Sequence, residues 1–255
     1  MSEQPIRWLK FSSPKHFYFL VERLAPWLTG VGLLALLLGL YVGFILAPED
    51  YQQGNSYRIM FLHVPAAWLS MLIYLLMALY GLIHLVWRVR MADIMARALA
   101  PTGMLFCAIA LWTGALWGKP TWGAYWVWDA RITTQLILLF LYAGYIALHH
   151  AIDDRHKAAQ AASLLALVGS VNVPIIYFSV QWWNTLHQGA SIAPGSSPTM
   201  ATVMFVALML MTLACWMYAI VVPLRRAQTL ILLSEGRSQW VRDGLLVKQG
   251  GDRHA

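Results

Sequence analysis

Six stretches of about twenty or more mainly apolar residues recur along this chain, at roughly 24–46, 62–87, 98–117, 131–150, 160–181 and 201–222. A helix needs about 20 such residues to cross the hydrocarbon core of a bilayer. Lipid satisfies no backbone polar group, so a spanning segment is a helix or part of a closed barrel. The expected fold class is therefore an all-α polytopic membrane protein, a bundle of six transmembrane helices. Charged residues make up 11% of the 255, against about 25% in ordinary soluble domains. Asn172 and Pro174 interrupt the fifth stretch without excluding a span, because neighbouring helices satisfy the backbone groups that proline frees. No A-x-A-like cleavage site follows the first run, so it is expected to be retained as a span. No repeat of 20–50 residues is visible. The expected organisation is an N-terminal segment 1–23, one helical domain 24–222 and a C-terminal tail 223–255.

Lysine and arginine orient such a bundle. With the six spans drawn as above, 15 of the 18 fall on one side: Arg7, Lys10, Lys15, Arg23, Arg88, Arg90, Arg97, Arg155, Lys157, Arg225, Arg226, Arg237, Arg242, Lys248 and Arg253. Only Arg58, Lys119 and Arg131 fall on the other. The asymmetry predicts cytoplasmic termini, with outer loops near 47–61, 118–130 and 182–200. In a Gram-negative inner membrane these loops face the periplasm. The net charge of +7 reads as loop anchoring, with no nucleic-acid partner. Cys107 and Cys215 lie in apolar runs outside any CxxC or CxxCH pattern, and read as buried small hydrophobes.

The second outer loop contains WGAYWVWDAR, residues 122–131. Trp112, Trp117, Trp122, Trp126 and Trp128 crowd into this region, and Trp68, Trp182 and Trp183 lie on the same side. An interfacial aromatic belt is one reading. A helix over 122–129 is another: it puts Trp122, Trp126 and Asp129 at i, i+4 and i+7 on one face, with Tyr125 beside them. Such a shelf suits a large, flat, apolar ligand. One covered aromatic side chain removes about 150–250 Å² from water, worth at most roughly 4–6 kcal/mol.

The eight histidines divide by side. His16 and His254 fall in the tails, and His84, His149, His150 and His156 at the inner ends of spans or in the loop after span four. Only His63, in LHVPAAW, and His187, in QWWNTLHQG, fall at the outer side. Imidazole is the commonest metal ligand. Two imidazoles leave a zinc site short of ligands, whereas two axial nitrogens suit haem. Pro65 favours the first turn of a helix, which puts His63 at the N-terminus of span two. Arg58 and Arg131 are candidates to pair with propionates through the guanidinium fork, or with Glu49, Asp50 or Asp129. Lys119 is a weaker candidate. Trp182 and Trp183 are candidates to shield the face opposite the shelf. Asp129 has three open roles: orienting a histidine, capping span four, or pairing with Arg131.

The motif WGKPTWGAYWVWDAR, flanked by FLHVPAAW and WWNTLHQG, closely resembles the CcmC family, the haem exporter protein C of system I cytochrome c maturation. The resemblance covers nearly the whole chain. It implies a protein that holds haem b non-covalently at the outer face of the inner membrane and presents it to the periplasmic haem chaperone CcmE, to which haem becomes covalently attached. It implies CcmA and CcmB, an ABC transporter pair, and the small membrane protein CcmD as partners. Carried over by motif, His63 and His187 match the family's axial histidines, and Trp117, Trp122, Trp126, Trp128 and Asp129 its tryptophan-rich motif.

No general base, nucleophile or phosphate loop is visible. GALWGKPT resembles a Walker sequence only superficially, because its spacing is wrong and Pro120 occupies the Ser/Thr position. The expectation is a transfer scaffold rather than an enzyme, with ATP hydrolysis supplied by a partner. Two alternatives stay open: a haem b anchor of an electron-transfer complex, using His84, His149 or His150, and a haem or small-solute channel, hinted at by Asn172 and Pro174. The basic, apolar LRRAQTLILL of the tail is expected to lie along the inner surface or to contact a partner.

Overall fold

The computed structural model describes residues 13–183, 185–187 and 200–242. Arg7, Lys10, Lys248, Arg253 and His254, much of the third outer loop and the outer parts of both expected terminal segments lie outside the described residues. The described chain is helical, with no strand beyond an isolated bridge between Asp50 and Gly54.

Helix α1 (Pro14–Tyr41) ends in a π turn, Val42–Leu46. A 3₁₀ turn, Asn55–Ile59, leads into α2 (Met60–Trp87), which is followed by α3 (Arg90–Trp122) and α4 (Ala130–Ala151). Helices α5 (Arg155–Gly169) and α6 (Asn172–Trp182) together make the fifth apolar segment, and α7 (Thr202–Glu235) makes the sixth. All six are long and apolar enough to cross a membrane, as the hydropathy pattern predicts.

Local chemistry explains the boundaries. Arg88 takes the left-handed conformation (φ 54°) between α2 and α3, and its N–H bonds the His84 carbonyl at 2.9 Å. Asp154 caps α5 by accepting from the N–H groups of His156 and Lys157. Those two donors hold its carboxyl below the usual carboxylate range. Pro174 sits in the first turn of α6, where its missing N–H costs no helical bond. The Asn172 side chain ties the α5–α6 break to α4 by donating to the Thr134 carbonyl at 2.9 Å. Both residues that interrupt the hydrophobic pattern therefore mark a joint within one span.

Helices α2 and α3 form the centre of the bundle. Ala66 of α2 and Ala96, Ala100 and Ala110 of α3 are buried in the core these helices share, and small side chains let backbones approach closely. Tyr74, Tyr142 and Tyr145 fill the space left over and are 0–1% exposed. Gln135 donates to Ser70 Oγ (2.9 Å) and Cys107 Sγ (3.2 Å), and Tyr142 donates to the Ser70 carbonyl (2.6 Å). Cys107 is buried and Cys215 half-buried, both as free thiols. Helix α1 packs mainly on α7 and turns Trp27, Leu34 and Leu37 outward, a surface that suits lipid.

The helices outrun the hydropathy windows. α1 starts ten residues earlier than expected, α3 spans Arg90–Trp122 rather than 98–117, and α7 passes through Pro223 to Glu235. The boundary expected at 222/223 therefore falls inside a helix. LRRAQTLILL is not a separate surface segment but the last turns of α7, with Ala227 and Ile231 buried against Met91, Ile94 and Ala98 of α3. A hydropathy window registers only apolar length, whereas backbone hydrogen bonding continues through polar turns.

Candidate functional site

The ends of α1 and α3, the starts of α2 and α4, and the chain after α6 meet at one end of the bundle. Helix α3 stops at Trp122 because Gly123 adopts φ +81°, a left-handed cap whose N–H bonds the Lys119 carbonyl at 3.0 Å. Residues 123–129 are not helical. The expected shelf over 122–129, with Trp122, Trp126 and Asp129 on one helical face, is therefore not formed. Trp117 and Trp122 come from the last turns of α3, Trp126 comes from the loop, and the three converge on a cleft from different directions.

The cleft is open at its mouth, and the free space among its lining side chains, mouth included, is about 820 Å³. His63, His187, Tyr125 and Arg131 also line it, and Met71, Ile132, Gln135 and Ile176 reach into the bundle interior. His63 lies near the N-terminus of α2, although Pro65 sits inside the helix and not in the first turn that the sequence suggests. Its Nδ1 is 3.0 Å from Thr113 Oγ1, and its ring meets Trp117 edge-on at 5.7 Å. The His187 ring lies 6.4 Å from that of His63, tilted by 31°, and 6.3 Å from Trp122. The two rings are close enough for one metal ion to take a nitrogen from each. No group of three or more His, Cys, Asp or Glu placed to hold a metal ion occurs among the described residues. The pair thus suits a metal that brings its remaining ligands with it.

Several expected site residues do other work. Arg58 donates to the carbonyls of Phe44 (2.7 Å) and Ala47 (2.9 Å) and stacks near Phe44 and Tyr57. It caps the end of the first span and does not line the cleft; Glu49 is bound instead by Asn55. Asp129 takes the capping role, accepting from the Ile132 N–H at 2.8 Å, while its Oδ2 is buried without a hydrogen-bond partner. Trp128 is 74% exposed and packs edge-on against Trp126 at 5.3 Å. Trp182 stacks on Phe178 at 5.2 Å and meets Trp183 at 5.8 Å. Neither Trp182 nor Trp183 lines the cleft. Lys119 lies over the Tyr125 ring at 5.4 Å and donates to the Gly123 carbonyl. Among the described residues, Arg131 is thus the cation that lines the cleft.

Sequence reasoning missed the residues that hold these groups. Gln53 Oε1 accepts from Trp117 Nε1 at 2.7 Å, Thr113 contacts His63, and Gln135 joins the cleft to the buried polar ties. Ala110, Gly114, Trp117 and Thr121 recur at i, i+4, i+7 and i+11 along span three, a stripe that marks the cleft-facing side of α3. A second imidazole pair, His84 and His156, stands 6.3 Å apart, about 30 Å along α2 from His63. Neither residue lines the cleft.

Comparison with known proteins bears on the whole chain. The family model described as CcmC, Heme exporter protein C, matches residues 7–242. Heme exporter protein C of Escherichia coli K12 is 48% identical over 242 residues, covering 93% of this chain and 95% of that protein. The protein of the same name from Bradyrhizobium diazoefficiens is 45% identical over 230 residues, 90% of this chain and 87% of that one. A ccmC-like mitochondrial protein of Marchantia polymorpha, named for cytochrome c biosynthesis, is 45% identical over 156 residues, 61% of this chain and 66% of its own length. With matches of this extent to an all-helical chain of six membrane-length segments, the protein belongs to the CcmC, heme exporter protein C, family.

Proposed function

We propose that this protein handles haem for cytochrome c biogenesis, holding haem b non-covalently at the periplasmic face of the bacterial inner membrane and presenting it to the chaperone CcmE. One observation carries the reading: His63 and His187 stand 6.4 Å apart on a cleft walled by Trp117, Trp122 and Trp126. The tryptophans give a flat macrocycle apolar faces to pack on. Arg131 supplies a guanidinium for a propionate. The apolar inner walls, Met71, Ile132 and Ile176, exclude water from the buried edge. Trp128, which packs on Trp126 and is 74% exposed, offers an aromatic surface beside the cleft on which a docking partner would land. The positive-inside asymmetry supports a periplasmic site. CcmA and CcmB as the ATP-hydrolysing pair, and CcmD as a small membrane partner, complete the assembly in this reading. The protein itself acts as a transfer scaffold.

The test is the visible spectrum of the protein purified from cells that co-produce the chaperone. Wild type is compared with His63→Ala, His187→Ala and the double change Trp122→Ala with Trp126→Ala. A low-spin haem spectrum altered by either histidine change and weakened by the tryptophan pair supports the reading. Haem unchanged in both histidine variants would overturn the ligand assignment and redirect attention to His84, His149 and His150.

A further inference from the structure

Thr113 touches neither the cleft nor solvent to any extent, being 5% exposed. Its hydroxyl has one hydrogen and three neighbours that could receive it: the Ile109 carbonyl at 2.6 Å, His63 Nδ1 at 3.0 Å and the Ala110 carbonyl at 3.4 Å. The shortest contact is the back-bond to the carbonyl four residues earlier, a habitual partner of a helical threonine. With its hydrogen directed there, Oγ1 meets the imidazole only as an acceptor, and Nδ1 of His63 must be the donor. A neutral imidazole carries one N–H, so Nε2 keeps its lone pair. The ring is close-packed from a second direction as well: a Cβ at position 114 would stand 3.0 Å from His63 Cε1, tighter than an ordinary contact.

From these contacts we propose that Thr113 is a positioning residue that locks His63 in the Nδ1–H tautomer and orientation, leaving Nε2 as the haem-iron ligand. The inference rests on the reading of His63 as a haem ligand. The chain from His63 N–H through the Thr113 hydroxyl to the Ile109 carbonyl runs in one sense, so each bond polarises the next. That raises the basicity of the ligating nitrogen, as a partner on the far side of a metal-bound imidazole does generally. Replacing Thr113 by valine keeps the shape and removes the acceptor. The imidazole, still packed against Trp117 and α3, then loses its side-chain acceptor, and a larger fraction carries the proton on Nε2, where it cannot ligate.

The experiment uses the full-length haem-loaded protein. Thr113→Val is expected to retain haem about tenfold less well than wild type, with a reduced low-spin fraction and a shifted midpoint potential, while Thr113→Ser stays close to wild type. His63→Gly tests the hydrogen bond directly. Added imidazole, which carries an N–H, should restore the low-spin spectrum at several-fold lower concentration than 1-methylimidazole, which does not. That preference should vanish in His63→Gly combined with Thr113→Val. Equal rescue by the two compounds in His63→Gly overturns the proposal even if the valine variant fails to fold. A Thr113→Val protein matching wild type in spectrum, potential and retention, beside a defective His63→Gly, overturns the role of Thr113 and leaves His63 as a ligand. A spectrum unchanged in His63→Gly overturns the ligand reading itself, and the inference with it.

Discussion

Trp117 donates its indole N–H to Gln53 Oε1 at 2.7 Å and at the same time presents its ring to the edge of His63 at 5.7 Å. The loop between α1 and α2 thereby holds a wall of the cleft from outside the helix that carries it. Gln53 is itself fixed: its backbone N–H bonds Asp50 Oδ1 at 2.8 Å. Replacing Gln53 by alanine removes one half-buried hydrogen bond, worth about 1 kcal/mol. Haem retained after detergent washing should fall roughly fivefold at equal protein, read by the pyridine haemochrome spectrum. Retention equal to wild type would mean that Trp117 needs no outside support.

Gly123 sets where the aromatic loop leaves α3. An alanine there must hold φ near +81°, a conformation that costs a residue with a Cβ about 1–2 kcal/mol. The easier response is for α3 to continue by a turn, which would carry Tyr125 and Trp126 away from the cleft. Gly123→Ala is therefore expected to lower both thermal stability in detergent and haem content. Gly54 offers a control. It also has positive φ (55°), and it reaches the cleft only through the neighbouring Gln53 that holds Trp117, so Gly54→Ala should lower haem content less than Gly123→Ala does. Equal haem content in the two variants would count against the loop geometry described above.

The order and number of spans were legible in the sequence because bilayer thickness imposes one length on every segment that crosses it. The two histidines and the tryptophans of α3 were legible because helical spacing and the outer loops brought a short list of residue types together. The geometry of 122–129 was not. A spacing of i, i+4, i+7 describes a helical face only if the helix exists, and one left-handed glycine ended it. The fate of Arg58 was hidden for a different reason. Its acceptors are the main-chain carbonyls of Phe44 and Ala47, left free where α1 ends in a π turn, and no side-chain pattern announces them. Thr113 and Gln53 escaped notice because neutral polar residues in or near an apolar run carry no charge or metal-binding signature.

At the opposite end of the bundle, Arg225 of α7 bonds Glu22 of α1 at 2.6 Å, and Gln228 reaches both Glu22 and the Tyr18 carbonyl. The ion-pair side chains are 41% and 31% exposed, so solvent screening limits the pair to about 1 kcal/mol or less. Arg225→Ala should lower the melting temperature slightly and leave the haem spectrum as in wild type. Raising the ionic strength should shrink the difference in melting between the two proteins. A spectral change in this variant would mean that the two ends of the bundle are coupled.

Arg131 and Arg58 are the two outer arginines that a haem propionate could meet, and the structure separates them. The Arg131 side chain lines the cleft, whereas the Arg58 guanidinium already serves two carbonyls. A charge-assisted bond from Arg131 is worth about 1.5–3 kcal/mol, so Arg131→Ala should weaken haem retention roughly 10–100-fold, with some loss of thermal stability because the nearby Asp129 carboxylate loses its countercharge. Arg131→Lys should recover only part of it, because an ammonium lacks the planar fork that matches a carboxylate. Arg58→Ala should show the reverse balance, since it leaves two carbonyls at the end of the first span without their donor. Melting curves and haem stoichiometry on the same three preparations separate the cases. If Arg58→Ala lost haem while Arg131→Ala kept it, the assignment of Arg131 to the propionate would fall, and the first loop would have to rearrange when haem binds.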